Sequence, residues 1–313
     1  MARQPIPARR ATASSGRPAN RTPSTEPAAA EPSGGGGPSK PAPGLYVVAT
    51  PIGNLDDVTL RALTVLGGAD VVACEDTRTT ARLLARHGIR ARTTPYHDRN
   101  AARARPGLIR RLQRGEVVAM VSDAGTPLIS DPGYRLVRGA IDAGIAVVPV
   151  PGPSAVLAAL AAAGLPTDRF FFAGFLAPRS AARVAALRDM ADIRATLVFL
   201  ESPRRLAASL ADMAAELGAR EAVVARELTK MFEELRRAPL AELAAHYRRE
   251  GPPRGEVVVV VGPPPARTPV NVDARLVKAL GQQRLREAVD EVAAATGAPR
   301  REVYARALAL RGK

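Results

Sequence analysis

The sequence predicts an α/β protein built in two successive units and closed by a short all-helical segment. Three observations carry that expectation. Short apolar runs alternate with amphipathic stretches from Leu45 onward, and the alternation restarts near Pro166. Residues 276–310 then hold helical periodicity only. Such alternation implies strands side by side in a largely parallel sheet with helices on its faces.

In the first unit "LYVVATPIGN" reads as a strand ended by Pro51 and Gly53. "DVTLRALTVLGGAD" places Val58, Leu60, Leu63 and Leu66 near helical spacing and stops at Gly67-Gly68. "DVVACEDTR" is a strand with an acidic end, "TRTTARLLARHGI" a helix closed by Gly88, and "RPGLIRRLQRG" a further helix. The strand "EVVAMVSD", the helix "GYRLVRGAIDAG" and the strand "IAVVPVPG" follow. The second unit runs through the strand "RFFFAGFLAP", the helix "SAARVAALRDMA", the strand "ATLVFLESP" and the helix "RRLAASLADMAAELG". It continues with the strand "EAVVARELT", the helix "PLAELAAHYRREG" and the strand "GEVVVVVGPPP". At the end, Leu285, Ala288, Val289 and Val292 line one helix face and Gly297 stops it. Pro299 opens a second helix with Val303, Ala307 and Leu310. With Arg300 and Arg301 at its start, this pair reads equally as a nucleic-acid reader or as a packing or dimerisation hairpin. The expected organisation is a tail over 1–44, α/β domains over 45–160 and 161–265, and a helical domain over 266–313.

Composition narrows the function classes. Residues 1–44 are rich in Pro, Ser, Ala and Gly without apolar periodicity, and read as a disordered basic tail. They lack the apolar stretch of a signal peptide, and their prolines oppose the amphipathic helix of a transit peptide. No run reaches the roughly 18–20 apolar residues of a membrane helix, so cytoplasm is the expected compartment. A single cysteine, Cys74, excludes an internal disulfide, and three scattered histidines leave no metal site to propose. The net charge of +15 is spread over tail, body and terminal segment. It suits a polyanionic partner, and equally an Arg-preferring composition.

The loops exclude two cofactor classes. The first strand–helix turn, "ATPIGNLDD", has one glycine where a dinucleotide site needs three, and no GK[ST] phosphate loop occurs anywhere. Yet "TPIGNLDD", "CEDTR", "SDAGTPLISDPG", "VPGPSA", "ESPRR", "ELTK" and "RGE" are rich in special residues and are grouped with the strands' carboxyl ends, where open α/β sheets bind ligands. Alone, each is readable as a turn or helix cap.

Together these stretches, taken with "LYVVATPIGNLDDVTLRAL", "MVSDAGTPLISDPGYRLV", "FFAGFL" and "ARELTKMFEE", resemble the tetrapyrrole-methylase-like superfamily of S-adenosylmethionine methyltransferases. Within it they are most similar to the enzymes that methylate the ribose 2′-hydroxyl of cytidine 1402 in 16S rRNA. The resemblance covers residues 45 to about 263, and less distinctively the terminal helices. One departure stands out: "YHDRNA" at 96–101, where that group has YH-x-H-N-E, which leaves His97 without an assigned role.

The resemblance implies two α/β domains with S-adenosylmethionine in the cleft between them, a homodimer, and 16S rRNA in the small ribosomal subunit as partner. It implies cofactor contacts from Asp123, Ala124, Gly125, Thr126, Leu128, Ser154, Ala155, Glu201, Glu227, Leu228, Gly255 and Glu256. Candidates for catalysis are Glu75, Asp76, Glu227 and Lys230, and for substrate binding Asn54, Arg78, Arg204, Arg205, Arg300 and Arg301. The chemistry is coherent: the cofactor carries a sulfonium and an ammonium but no phosphate, so carboxylates and backbone carbonyls suit it better than lysines. A ribose hydroxyl is a weak nucleophile and needs a base, for which Glu75, Asp76, Asp123 and Glu227 qualify. Lys230 or Arg78 would steady developing charge. Asp131-Pro132-Gly133 is expected to shape the turn into the next helix. The alternatives are a methylase of a tetrapyrrole or other small molecule in the same superfamily, and a non-catalytic nucleic-acid-binding protein.

Overall fold

A computed structural model describes residues 40–265 and 271–311; the expectations for residues 1–39 lie outside it. At the edge of the expected tail, Lys40 pairs with Asp70 at 2.8 Å and the Tyr46 hydroxyl donates to the Ala42 carbonyl, so residues 40–43 pack on the body.

Strands β1 (Gly44–Val48), β2 (Val71–Cys74), β3 (Thr93–Pro95), β4 (Val117–Val121) and β5 (Val147–Val150) form one parallel sheet in the order β3-β2-β4-β1-β5. Alternate residues serve opposite faces. Tyr46, Val48, Val72 and Cys74 meet Leu66 of α1 (Leu60–Gly68) and Leu83 and Leu84 of α2 (Thr77–Arg86). Leu45, Val71, Ala73 and Met120 meet Leu108 and Leu112 of α3 (Ala101–Gln113) and Leu136 and Ala140 of α4 (Tyr134–Asp142). Cys74 is buried in the core.

β1 and β4 are neighbours, yet β1 leads to α1 on one face and β4 to α4 on the other. Their loops diverge, and this switch point is where open α/β sheets take ligands. Thr50 and Gly125 exchange two backbone hydrogen bonds of 2.9 Å and fasten the loops at their roots.

The second sheet contains β6 (Phe170–Phe175), β7 (Thr196–Glu201), β8 (Glu221–Arg226), β9 (Glu234–Pro239) and β10 (Val257–Val261), in the order β6-β7-β10-β8-β9. Only β6 and β7 are parallel; the other three pairings are antiparallel. The cause is β9, a strand the sequence pattern did not reveal, which turns back on β8 without a helix. α8 (Leu240–Glu250) then returns the chain, and β10 enters against β7 and β8. α6 (Ser180–Met190), α7 (Leu206–Leu217) and α8 cover one face.

The other face is covered by α5 (Ala155–Ala163), the helix that follows the first sheet. Its Val156, Ala159, Leu160 and Ala163 pack on Val198, Val223, Val258 and Val260, and Ile52 from the loop after β1 joins them. This shared core sets the switch point of the first sheet opposite the second sheet. The terminal helices α9 (Val272–Leu280), α10 (Leu285–Thr296) and α11 (Arg300–Arg311) enclose Leu276, Ala288, Val289, Val292, Val303 and Ala307. Gly297 stops α10 at a left-handed φ of 67°. Among the described residues no helix is long and apolar enough to cross a membrane.

Candidate active site

A cleft of about 390 Å³ lies between the loops of the first sheet and one edge of the second. Nine residues expected at a cofactor site line it: Ala124, Gly125, Thr126, Ser154, Ala155, Glu201, Leu228, Gly255 and Glu256. The last two precede their strand, so in a parallel sheet they would sit at the opposite edge. Antiparallel β10 starts where β7 and β8 end, with Val257 paired to both Glu201 and Arg226. That reversal brings "RGE" to the cleft.

Local interactions hold the loops in shape. The Thr126 hydroxyl donates to the Pro153 carbonyl at 3.1 Å, tying the β4 loop to the β5 loop. Ser154 Oγ caps α5 by accepting from Leu157 N. Leu128, Ser130, Glu227 and Thr229 adopt positive φ, and all four belong to the loops after β4 and β8. Such backbone is costly for non-glycine residues and persists where the surroundings dictate it, commonly at functional sites.

The two halves meet at a tight joint. Asn54 N donates to Thr229 Oγ1 at 3.1 Å, while Asn54 Oδ1 caps the short turn Leu55–Asp57. Any side chain on Gly53 would run into Lys230 Cγ, and its Cβ would lie 2.8 Å from Thr229 Oγ1 and 3.0 Å from the Leu228 carbonyl. Glu227 accepts from Lys230 Nζ at 2.8 Å and from Glu256 N at 2.9 Å, and these bonds hold its carboxyl below the ordinary value. For Lys230 burial opposes the charge, but the bonds to Glu227 and Glu256 outweigh it and the ammonium is strengthened. Glu201 is buried and fully engaged: Ser202 N donates at 2.7 Å, the Ser209 hydroxyl also donates, and Arg205 pairs with it at 2.7 Å. Arg205 donates onward to the Leu176 carbonyl, so it is a strut behind the cleft.

The acidic loops resolve differently. Asp76 caps α2 by accepting from Arg78 N at 2.8 Å and pairs with the Arg78 guanidinium, which brings its carboxyl down to about 2. Its backbone N–H donates to Asp123 Oδ1 at 2.9 Å, so Asp123 ties the β4 loop to the β2 loop. Burial pushes the Glu75 carboxyl up, and Asp123, Asp131 and Asp98 push it further. Burial likewise raises Asp131, with a Ser122 hydrogen bond opposing.

Three expected cofactor residues do not line the cleft. Asp123 faces Asp76, Leu128 packs toward Gly133, and Glu227 lies directly beneath Gly255, where any Cβ would overlap its carboxyl. Others that line it had not been singled out, among them Ile52, Ser130, Asp131, Phe175, Leu200 and Val258. Asp131 is the instructive one. Its Asp-Pro-Gly setting signals a turn, but Gly133 alone supplies the N-cap geometry of α4, at φ 140°. Of the expected substrate residues, Arg78, Arg204 and Arg301 are exposed, and Arg300 pairs with Asp290 on the helical hairpin, outside the cleft. In "YHDRN", Asn100 Oδ1 accepts from His97 N and its amide donates to the Pro95 carbonyl, a turn-forming role.

No lysine or arginine is among the described residues lining the cleft. Its wall combines aliphatic side chains, hydroxyls, the Asp131 carboxyl and two glycines, Gly125 and Gly255, at positive φ where backbone comes close. That set fits a nucleoside bearing a sulfonium and does not fit a pyrophosphate.

Residues 44–244 match the model of the family described as tetrapyrrole (corrin/porphyrin) methylases, and residues 266–311 match that of the RsmI C-terminal HTH domain. Over 272 residues the chain is 54% identical to ribosomal RNA small subunit methyltransferase I of Mesorhizobium japonicum, covering 86% of this chain and 92% of that one. It is 47% identical over 276 residues to the protein of the same name from Pseudomonas aeruginosa, covering 86% and 98%. Among solved structures, diphthine synthase superposes with a TM-score of 0.56 at 18% identity, over 70% of this chain and 89% of that one. A cobalt precorrin-4 methyltransferase superposes with a TM-score of 0.55 at 21% identity, over 70% and 94%. At those identities the likeness is one of fold.

Proposed function

The chain belongs to the tetrapyrrole (corrin/porphyrin) methylase family, and from that premise we propose that it moves a methyl group from S-adenosylmethionine to ribosomal RNA. The supporting observation is the cleft: a wall without cationic side chains among the described residues, assembled from six loops at facing sheet edges. In the finer reading the acceptor is the ribose 2′-hydroxyl of cytidine 1402 in 16S rRNA, presented by the small ribosomal subunit. The enzyme acts as a cytoplasmic homodimer, with residues 45–160 and 161–265 as its two α/β domains and residues 266–313 as a helical RNA-contacting domain.

The bound cofactor supplies an electrophilic methyl group. Ala124, Gly125, Thr126, Ser154 and Ala155 would hold it from one side, and Leu228, Gly255 and Glu256 from the other. Asp131 would offer a carboxylate to its positive charge. Glu227 and Lys230 act as positioning residues, because their mutual pair supports Gly255 and Glu256 from below. Transfer would form the oxygen–methyl bond as the sulfonium's sulfur–methyl bond breaks and S-adenosylhomocysteine leaves, and the residue proposed to take the hydroxyl proton is Glu75. Of the four catalytic candidates it is the carboxyl whose basicity burial and neighbouring acids raise. Asp76 is committed to Arg78 and is too weak a base. Arg78, Arg204 and Arg301 supply exposed positive charge for the RNA backbone, which positions without reading sequence.

Calorimetry with S-adenosylhomocysteine and mapping of ribose methylation in a strain lacking the gene test the two halves of the reading. Absence of homocysteine-form binding rejects the cofactor site. A methyl retained on that cytidine in the deletion strain rejects the RNA target.

A further inference from the structure

Beside the cleft lies a second recess of about 320 Å³, whose wall includes Tyr96, Asp98, Asp131, Tyr134 and Arg135. Asp131 stands in the walls of both, so the recess adjoins the cleft at that residue. Tyr96 is 3% exposed, yet its hydroxyl has no hydrogen-bond partner among the described residues. A buried hydroxyl left unpaired is costly, and a ligand acceptor would offset that cost. The charges acting on it are Arg105, Arg135 and Asp98. At the rim, Tyr134 is 70% exposed and offers an aromatic face.

The recess thus presents an obligate acceptor when Asp131 is ionised and a donor in the Tyr96 hydroxyl. Cytosine has the matching edge, with an amino group at C4 beside acceptors at N3 and O2. Uracil places an acceptor at O4, which a carboxylate repels. Single-stranded RNA bases are read in this manner, splayed onto aromatic or guanidinium planes and hydrogen-bonded along their edges. Resting on the rRNA methyltransferase reading above, we propose that this recess receives the base of the nucleotide being methylated. In it Asp131 accepts from the cytosine amino group and Tyr96 donates to the N3–O2 side. Tyr134 stacks at the mouth, and Arg135 meets the adjoining phosphate. Asp131 then links the selected base to the methyl donor through one side chain.

The test uses the full chain and small subunits whose rRNA carries either cytidine or uridine at the target, with kcat/KM for each and the Kd of S-adenosylhomocysteine as readouts. Tyr96→Phe is expected to lower kcat/KM on cytidine about 10-fold, the loss of one hydrogen bond, with the Kd changed less than about 2-fold. Asp131→Asn, whose amide can donate to O4, is expected to reduce the cytidine-over-uridine preference about 10-fold or more. Wild-type rate and preference in both variants would overturn the proposal, as would a rise in Kd that accounts for the whole loss. A wild-type protein that binds S-adenosylhomocysteine but methylates neither RNA would instead overturn the rRNA reading on which the proposal rests.

Discussion

Replacing Gly53 by Ala places one methyl group in the joint between the two halves of the cleft. The added carbon meets Lys230 Cγ, Thr229 Oγ1 at 2.8 Å and the Leu228 carbonyl at 3.0 Å. Lys230 can swing aside, but the other two cannot: Thr229 sits at a positive φ of 64°, and Leu228 contributes backbone. Overpacking of this kind costs about 1–3 kcal/mol. The Asn54–Thr229 hydrogen bond, if broken, adds about 0.5–1.5 kcal/mol. The shared core of α5 and Ile52 keeps the two sheets together, so the strain is relieved locally, the joint opening as the loop after β1 moves away from the loop after β8. Cofactor binding must close it again, and with about 2 kcal/mol of that strain restored the Kd of S-adenosylhomocysteine rises roughly 30-fold. Calorimetry gives the Kd, and a thermal melt reports whether the halves remain folded. A Kd within about 2-fold of wild type would refute the claim that this joint shapes the cleft.

Gly67→Ala is the matching control: nothing lies within 4 Å of its Cβ position in α1, and the helix gains about 0.5–1 kcal/mol. A thermal melt should show equal or higher Tm with unchanged ligand affinity. Gly255→Ala drives a Cβ into the Glu227 carboxyl from a backbone at φ 95°, and titration should show S-adenosylhomocysteine binding weakened by at least about 10-fold. Glu75→Gln should lower the single-turnover methylation rate about 10²-fold or more and leave ligand affinity intact. In wild type the rate should fall with acid at a pH above the ordinary Glu value of 4.5, because the folded carboxyl takes its proton early, and this limb should vanish in the variant. Glu227 gives the opposite sign: its folded carboxyl is held low, so the stability it contributes is present above 4.5 and lost as pH falls through the lowered value. Melts of wild type and Glu227→Gln should therefore differ at neutral pH and converge in acid.

How much of this was legible depended on which physical signal each element carries. In the first sheet β1, β2, β4 and β5 were readable because each shows apolar residues closed by Gly, Pro or Asp, whereas the edge strand β3, "TTP", carries no apolar run and was not. β9 was not, because "ELRRAP" is an edge strand secured by the Arg226–Glu234–Arg236 ion pairs instead of alternating apolar residues. Missing that one strand left the direction of β10 unreadable, although every strand around it had been placed. α3 begins at Ala101, ahead of the Arg105–Pro106 start that proline suggested. In the site, loop identity was visible and side-chain direction was not. Asp76, Asp123 and Asp131 look alike in sequence. Yet one caps a helix, one bridges two loops and one faces the cleft, by virtue of turns set at Leu128, Ser130 and Gly133. Glu201 was expected at the cofactor, and it lines the cleft with its carboxyl already bound to Arg205 and Ser209.

The most direct test of the account is transfer of labelled methyl from S-adenosylmethionine to small subunits taken from a strain lacking the gene, with the product mapped at nucleotide level. The account predicts one methyl per subunit, on the 2′-oxygen of cytidine 1402, and none with the Glu75→Gln protein on the same time scale. Methylation elsewhere, or none by a wild-type protein that still binds S-adenosylhomocysteine, would contradict it.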